Sequence, residues 1–387
     1  MEIKVVDAPM GTGKTTAMFR HIAEHPGDKY IFVTPYLTEV ERAGEACGLS
    51  KAFKRPNKSV SLKHLIEHGK SATITHALYM LMDDEALACA KRQHYKLVID
   101  ETVDMVAEES ISPFDWKILS EYVSVDSDGV CSLTPKAKSY YGAFEPTLTA
   151  IRNSSKTICV SGNMLFYLSP QNLLDSFDEV YILTYMFESS KMAADLRLYG
   201  FRWTYMYVTQ DFGFTTEQQQ YDTSHYRDLI NILETPRYNE IGDEPTAFSH
   251  AWCMRNLSKV RQAEAKACSY VRSLKKSYNE VLWTTYIDVA KKAPYRQLSS
   301  KNFVPLNIRA TNEYRNRSVI AYLCNRYMNP FLSRWYKKNG VPVDEDAFAL
   351  SEMLQFLFRS CIRDGKPVWL YIPSKRMRNL LKGWLES

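Results

Sequence analysis

Glu2-Ile3-Lys4-Val5-Val6-Asp7-Ala8-Pro9-Met10-Gly11-Thr12-Gly13-Lys14-Thr15-Thr16 runs from an apolar stretch through a glycine-containing loop into a helical pattern. Ile3–Asp7 reads as a strand and Thr16–Ala23 as a helix. Glycines in the loop between them let successive backbone N–H groups turn inward onto phosphate oxygens, and the following helix N-terminus adds its dipole. Lys14 brings a point charge to the β- and γ-phosphates of a nucleotide, and Thr15 brings a hydroxyl to Mg²⁺. Ala8, Pro9, Met10, Gly11, Thr12, Gly13, Lys14, Thr15 and Thr16 are therefore the candidate cradle for ATP with Mg²⁺. Ala8 stands where the common pattern has Gly, with the spacing to Gly-Lys-Thr preserved.

A cradle of this kind predicts an acidic strand end elsewhere in the chain. Tyr95-Lys96-Leu97-Val98-Ile99-Asp100-Glu101 supplies one, 100 − 14 = 86 residues after Lys14. Asp100 would hold Mg²⁺ through water, and Glu101 would polarise an attacking water, a pairing that reads as hydrolysis rather than binding alone. The alternative is an apolar run that ends in Asp-Glu for solubility.

Working outward, Tyr30–Thr34, Ala72–Thr75, Thr157–Ser161 and Val180–Thr184 join Ile3–Asp7 and Tyr95–Asp100 as short β-rich runs separated by helical stretches. Runs apolar on both faces are the mark of a parallel sheet covered on both sides, here a doubly wound α/β domain. The looser, polar stretch from Met105 to Lys156 reads as a surface insertion. The first domain is expected to end near Phe187–Lys191, giving domains 1–190 and 191–387, the second with an insertion at about 197–280. Ser258–Tyr278 has helical spacing at Val260, Ala263, Ala267, Val271 and Leu274. Glu280–Tyr286, Asn302–Pro305 and Pro367–Tyr371 read as strands of a second α/β domain.

Length and composition agree with two globular domains: 387 residues, 45% hydrophobic and 24% charged, with no apolar run near the roughly 20 residues a bilayer demands. The absence of a signal-peptide pattern at Met1 points to the cytoplasm. The eight cysteines show no CxxC spacing, which disfavours a zinc site or a disulfide framework. Residues 1–190 carry 19 Lys and Arg against 25 Asp and Glu, so of the whole chain's 49 and 44 the remainder carries 30 and 19, a net of +11 against −6. A basic second half suits a polyanionic partner, and a solvated basic face is the plainer reading.

These motifs, in this order, resemble those of superfamily 2 helicases and translocases. APMGTGKTT is similar to their motif I, and Ile99–Asp104 (IDETVD) to motif II, with Val103 where the common form has Asp or His and Asp104 one residue later. Thr34 and Pro35 fall at a motif Ia-like strand end, and Thr75 and His76 at the next. The resemblance implies that these four face nucleic acid. Thr157–Asn163 (TICVSGN) resembles motif III, implying that Ser161 and Asn163 couple the nucleotide to the neighbouring domain. Glu280–Tyr286 resembles motif IV. Arg309, Thr311 and Asn312 resemble motif V and are implied nucleic-acid contacts. Gln355, Arg359 and Arg363 resemble motif VI, with Gln355 on the nucleotide and an arginine neutralising charge in the transition state; Arg363 sits one residue later than the pattern.

Together with Leu183–Glu188 (LTYMFE) and Tyr371–Leu381, the set is also similar to helicase-like ATPases encoded by bacteriophages. The resemblance implies two RecA-like domains, nucleic-acid-stimulated ATP hydrolysis and a role in phage DNA replication or recombination. Single-stranded DNA is favoured over RNA as partner and a monomer over an oligomer, with the nucleic acid and the oligomeric state left open by the sequence, and no membrane partner is expected. The rival readings are a packaging or partner-regulated ATPase, which lacks here the acidic nuclease cluster it usually carries, and an ATP-dependent clamp that does not unwind. Ser374–Arg378 adds three cations at a strand end, suited equally to phosphates or to a solvated helix.

Overall fold

Alternation along four strands explains the main sheet. Ile3 and Val5, Ile31 and Val33, Leu97 and Ile99, and Val180 and Ile182 share one core cluster, while Val6, Tyr30, Phe32, Val98, Tyr181 and Leu183 share another. Successive side chains of each strand thus leave water on opposite faces, as a sheet covered on both sides requires. The computed structural model describes residues 1–53, 57–293, 297–298, 300–306 and 313–386. Its strands are β1 (Glu2–Asp7), β2 (Lys29–Thr34), β3 (Ser50–Lys51), β4 (Ala72–Thr75), β5 (Tyr95–Asp100), β6 (Val106–Ser110), β7 (Val123–Val125), β8 (Cys131–Leu133) and β9 (Thr157–Ser161). They continue with β10 (Met164–Leu168), β11 (Glu179–Thr184), β12 (Trp203–Val208), β13 (Phe214–Thr215), β14 (Ile230–Ile232), β15 (Val281–Thr284), β16 (Val319–Tyr322) and β17 (Val368–Tyr371).

Chain compactness gives two units: Met1–Ala8, Gly13–Gln219 and Asn329–Val343 form the first, and Pro9–Thr12, Gln220–Met328 and Asp344–Ser387 the second. Among the described residues the first unit's main sheet runs β13-β12-β1-β11-β5-β2-β4-β3, parallel except for β13. At its N-terminal edge Glu179 accepts from Lys4 at 2.7 Å and pairs with Lys96 at 2.7 Å, so one carboxylate on β11 ties β1 to β5. Burial works against that charge, but the two lysines and the Tyr181 hydroxyl hold the Glu179 carboxyl down at about 2.

Two expectations change here. The boundary at 190/191 falls inside the first unit, because β12 pairs in parallel with β1 from Ile3↔Trp203 to Val6↔Met206. The expected insertion at about 197–280 therefore contributes its first strand to the first sheet and its later part, including the helix Leu257–Ser273, to the second unit. The insertion after Met105 also runs further than Lys156. Thr157–Ser161 is β9, which lies in an antiparallel sheet β6-β10-β9 and not in the parallel sheet. With the hairpin β7–β8 and its own core of Ile111, Leu119, Val123, Cys131, Leu148, Ile158 and Leu165, the insertion is a folded lobe. Its two ends meet where the Ser169 amide donates to the Met105 carbonyl at 2.8 Å.

The helix Pro330–Lys338 belongs to the first unit although the segments flanking it belong to the second. Trp335 stacks on Phe166 of the lobe, with ring centroids 4.7 Å apart, and the Tyr336 hydroxyl donates to Asp195 at 2.5 Å. Asp195, fully buried on the helix Lys191–Leu198, also accepts from the Met105 amide at 2.9 Å. One carboxylate thereby joins the root of the lobe to a helix more than a hundred residues away in sequence.

In the second unit the parallel sheet β14-β17-β16-β15 is covered by the helix Leu257–Ser273, which buries Val260, Ala263, Ala267 and Val271 as its spacing predicts. It ends before Tyr278, with Lys275 at φ 55°. Asn302–Pro305 is no strand: Phe303 makes a single bridge to Trp283, and Pro305 has no N–H to extend a ladder. Arg376 and Arg378 of the terminal basic cluster are engaged within the unit, Arg376 with Asp346 and Asn325, Arg378 with the Ile372 and Pro373 carbonyls. No helix among the described residues is long and apolar enough to cross a membrane.

Burial pushes the Asp195 carboxyl up to about 7 against its hydrogen-bond donors. A carboxyl that binds its proton more tightly when folded contributes full stability below about pH 4 and loses it as pH rises through about 7, with a slope approaching roughly 1.4 kcal/mol per pH unit. Asp195→Asn should remove this component, so thermal unfolding measured from pH 5 to pH 8 should fall less steeply in the variant than in the wild type; parallel curves would contradict the assignment.

Candidate active site

The candidate phosphate loop turns at its glycines. Gly11 and Gly13 take φ of 89° and 85°, a region that side chains avoid. The Thr12 hydroxyl donates to the Pro9 carbonyl at 2.9 Å, closing the turn, and the Ala17 amide meets the Gly13 carbonyl at 2.8 Å, starting helix α1 (Lys14–Glu24). Ala8 needs no glycine: it lies outside the positive-φ set, is fully buried, and its amide bonds the Thr184 carbonyl of β11 at 3.0 Å. The Lys14 ammonium reaches back to the Ala8 carbonyl at 2.5 Å.

β11 lies hydrogen-bonded between β1 and β5, so three strand ends converge. The Glu101 amide donates to the Leu183 carbonyl at 2.9 Å. Asp7 accepts the Met186 and Phe187 amides at 2.7 and 2.9 Å, fixing the turn that leaves β11. Across this edge the Thr15 hydroxyl stands 3.3 and 3.4 Å from the two Asp100 oxygens. Burial, then the charge of Glu101, pushes the Asp100 carboxyl up to about 7, with Arg42 and Lys14 opposing. An anionic oxygen pair disfavoured by its surroundings, beside a hydroxyl and a lysine, is a donor set that fits a divalent cation with a nucleotide phosphate. Glu101 itself holds φ 65°, a conformation costly for a residue with a side chain and concentrated at functional sites.

The remaining expected residues divide. His76 is brought to the site from behind: its Nε2 is 3.0 Å from the Asp100 carbonyl. Thr75 caps the turn that follows, accepting from the Leu78 amide. Pro35 is half-buried, and Thr34 is fully buried at the end of β2. Val103 packs into the core, and Asp104 pairs with Lys191 at 3.5 Å.

Ser161 and Asn163 sit at the β9–β10 turn of the antiparallel lobe sheet, so the strand end expected to carry coupling does not belong to the parallel sheet that holds β1, β11 and β5. Gln355, Arg359 and Arg363 do not share one helix: Gln355 lies on Glu345–Leu357, Arg359 follows its end, and Arg363 lies on the 3₁₀ turn Cys361–Asp364. Arg359 is buried with its guanidinium 5.6 Å from the centre of the Phe356 ring, and Arg363 is exposed. The Asp364 carboxylate pairs with Arg315 and the Glu352 carboxylate with Arg326. Arg309, Thr311 and Asn312 lie outside the described residues.

The backbone of Glu101 gives a test independent of activity. Glu101→Gly suits φ 65° and should leave the thermal midpoint unchanged or raised, whereas Glu101→Val, branched at Cβ, should lower stability by about 1–2 kcal/mol. Equal destabilisation by both would contradict the strained geometry.

The family model of the YonV C-terminal Rossmann-like domain matches residues 224–385, which hold the second unit's parallel sheet. The structure of S. tokodaii Xpd4 is similar over 99% of this chain and 94% of its own, with TM-score 0.50 and 13% identity, a likeness of fold. An XPD helicase structure aligns over 98% of this chain and 94% of its own, with TM-score 0.49 and 11% identity. The SPbeta prophage-derived uncharacterized protein YonV of Bacillus subtilis (strain 168) is 31% identical over 410 aligned positions, covering 100% of this chain and 99% of the relative. The fold is thus a mixed α/β, mainly parallel one similar to that of Xpd4, and the chain belongs to the YonV family.

Proposed function

We propose that this protein is an ATP hydrolase of the superfamily 2 helicase type that works on nucleic acid, with single-stranded DNA as its preferred partner. The observation that carries the reading is the convergence of Lys14, Thr15, Asp100 and Glu101 on one sheet edge, with the Thr15 hydroxyl 3.3 Å from Asp100. The fold likeness to Xpd4 and the prophage origin of the relative support it.

The chain's own groups divide the work. Backbone amides of Gly11–Thr15 and the start of α1 hold the phosphates, and the Lys14 ammonium leaves the Ala8 carbonyl for the β/γ oxygens. Thr15 and Asp100 would hold Mg²⁺, which supplies positive charge to the phosphate oxygens. Glu101, displaced from Asp100 by its left-handed backbone, orients water for in-line attack. A loose phosphoryl-transfer transition state spreads charge over equatorial oxygens, which a guanidinium fork neutralises, and the second unit's Arg359 is assigned that task ahead of Arg363. Binding to nucleic acid is assigned to phosphate contacts, which carry little sequence information.

Steady-state ATPase rates measured alone and with single-stranded DNA, duplex DNA or RNA test the reading. Single-stranded DNA should stimulate turnover most. Lys14→Ala should weaken ATP binding, while Glu101→Gln should keep binding and lower turnover by on the order of 100-fold or more. Arg359→Lys, which retains charge in the buried site but loses the fork, should cut stimulated turnover with ATP affinity nearly intact. Wild-type turnover in Glu101→Gln, or ATP hydrolysis indifferent to every nucleic acid, would overturn the assignment.

A further inference from the structure

The hairpin joining β12 to β13 brings an aromatic ring onto the phosphate loop. A Cβ placed on Gly13 would come within 2.4 Å of Phe212 Cε1 and 2.6 Å of its Cδ1, so the ring rests directly on the glycine that precedes Lys14. Phe212 is 44% exposed and holds φ 60°. Among the described residues it stacks on no other ring. A large apolar side chain kept half in water on a left-handed backbone contributes little to folding.

The tip that carries Phe212 is fixed from several sides. The Thr209 amide donates to the Gly213 carbonyl at 3.0 Å and the Phe212 amide to the Thr209 carbonyl at 3.0 Å. The Thr209 hydroxyl accepts from the Gly213 amide at 2.9 Å and donates to Asp211 at 2.5 Å. Arg20 of α1 donates to the Asp211 carbonyl at 2.5 Å and pairs with its carboxylate at 3.5 Å. Two residues on, Phe214 packs against the core cluster that contains Ala17 and Met18 of α1. The hairpin is therefore lashed to the same helix whose N-terminus forms the cradle.

A phosphate loop grips a nucleotide by its triphosphate and leaves the base to find its own surface. We infer that Phe212 is that surface, a stacking platform for the nucleobase of the bound nucleoside triphosphate. This rests on the ATP-binding reading above and deepens it by naming how the base is held. An aromatic face stacks on any base and more extensively on a purine, so the platform sets a preference by ring size and not by hydrogen-bond pattern.

Calorimetric titration of the full chain with Mg²⁺-ATP and with Mg²⁺-tripolyphosphate tests it, in the wild type, Phe212→Gly and Phe212→Trp. Glycine is chosen because φ 60° suits it, so the ring is removed without added strain. The wild type should bind ATP about 10-fold or more tighter than tripolyphosphate, Phe212→Gly should lose that margin through ATP alone, and Phe212→Trp should keep it. Equal weakening of both ligands by Phe212→Gly would mean that the ring only shapes the loop. Unchanged or tighter ATP binding would mean that it is idle or obstructs the site. Either result overturns the platform and leaves the phosphate site standing. Failure of the wild type to bind either ligand would instead remove the ATP reading, and the platform with it.

Discussion

Everything proposed for this molecule depends on the place of β11 between β1 and β5. Two parallel ladders, Glu2↔Glu179 to Asp7↔Thr184 on one side and Val180↔Leu97 to Leu183↔Asp100 on the other, bring residues far apart in sequence to one edge. The Glu179 carboxylate binds Lys4 and Lys96 at the far end of the same three strands. At the near end the Ala8 and Glu101 amides bond the Thr184 and Leu183 carbonyls. The phosphate loop and the acidic pair are thus held by backbone bonds rather than by mobile side chains, as a preorganised site needs.

Much of this was legible because it is local. Glycines and a lysine at fixed spacing mark a tight turn into a helix, and a doubly buried strand needs a continuous apolar run, so β1, β2, β4, β5 and β11, the placing of Lys14 and Thr15 after β1 and that of Asp100 and Glu101 at the end of β5 could be read directly. Strand partnership was not, because pairing is a non-local choice. Thr157–Ser161 has the composition of a core strand but pairs antiparallel with Met164–Leu168, and Trp203–Val208 joins β1 across some two hundred residues. Ser161 and Asn163, assigned by order along the chain, therefore fell on the lobe, while the strand that lies between β1 and β5 is β11. The arginines illustrate a second limit: Gln355, Arg359 and Arg363 follow one another at four-residue spacing, but the helix ends at Leu357 and the chain turns.

The lobe after Met105 and the helix Pro330–Lys338 form a second theme. Asp195 accepts from the Met105 amide and the Tyr336 hydroxyl, and the Phe166–Trp335 stack lies nearby in the same unit. A buried carboxyl with three elements depending on it is costly if left unpaired and specific when satisfied. It fixes the root of the lobe to Lys191–Leu198, the helix that follows β11. No periodic pattern in sequence announces such a residue.

Amide hydrogen exchange with and without a non-hydrolysable ATP analogue and Mg²⁺ tests the central claim most directly, that three strand ends form one nucleotide site. The account predicts that Thr12–Thr15, Glu101 and the Met186–Phe187 amides held by Asp7 gain protection together when the nucleotide binds. Protection confined to the phosphate loop, with Glu101 and Met186–Phe187 unchanged, would contradict it.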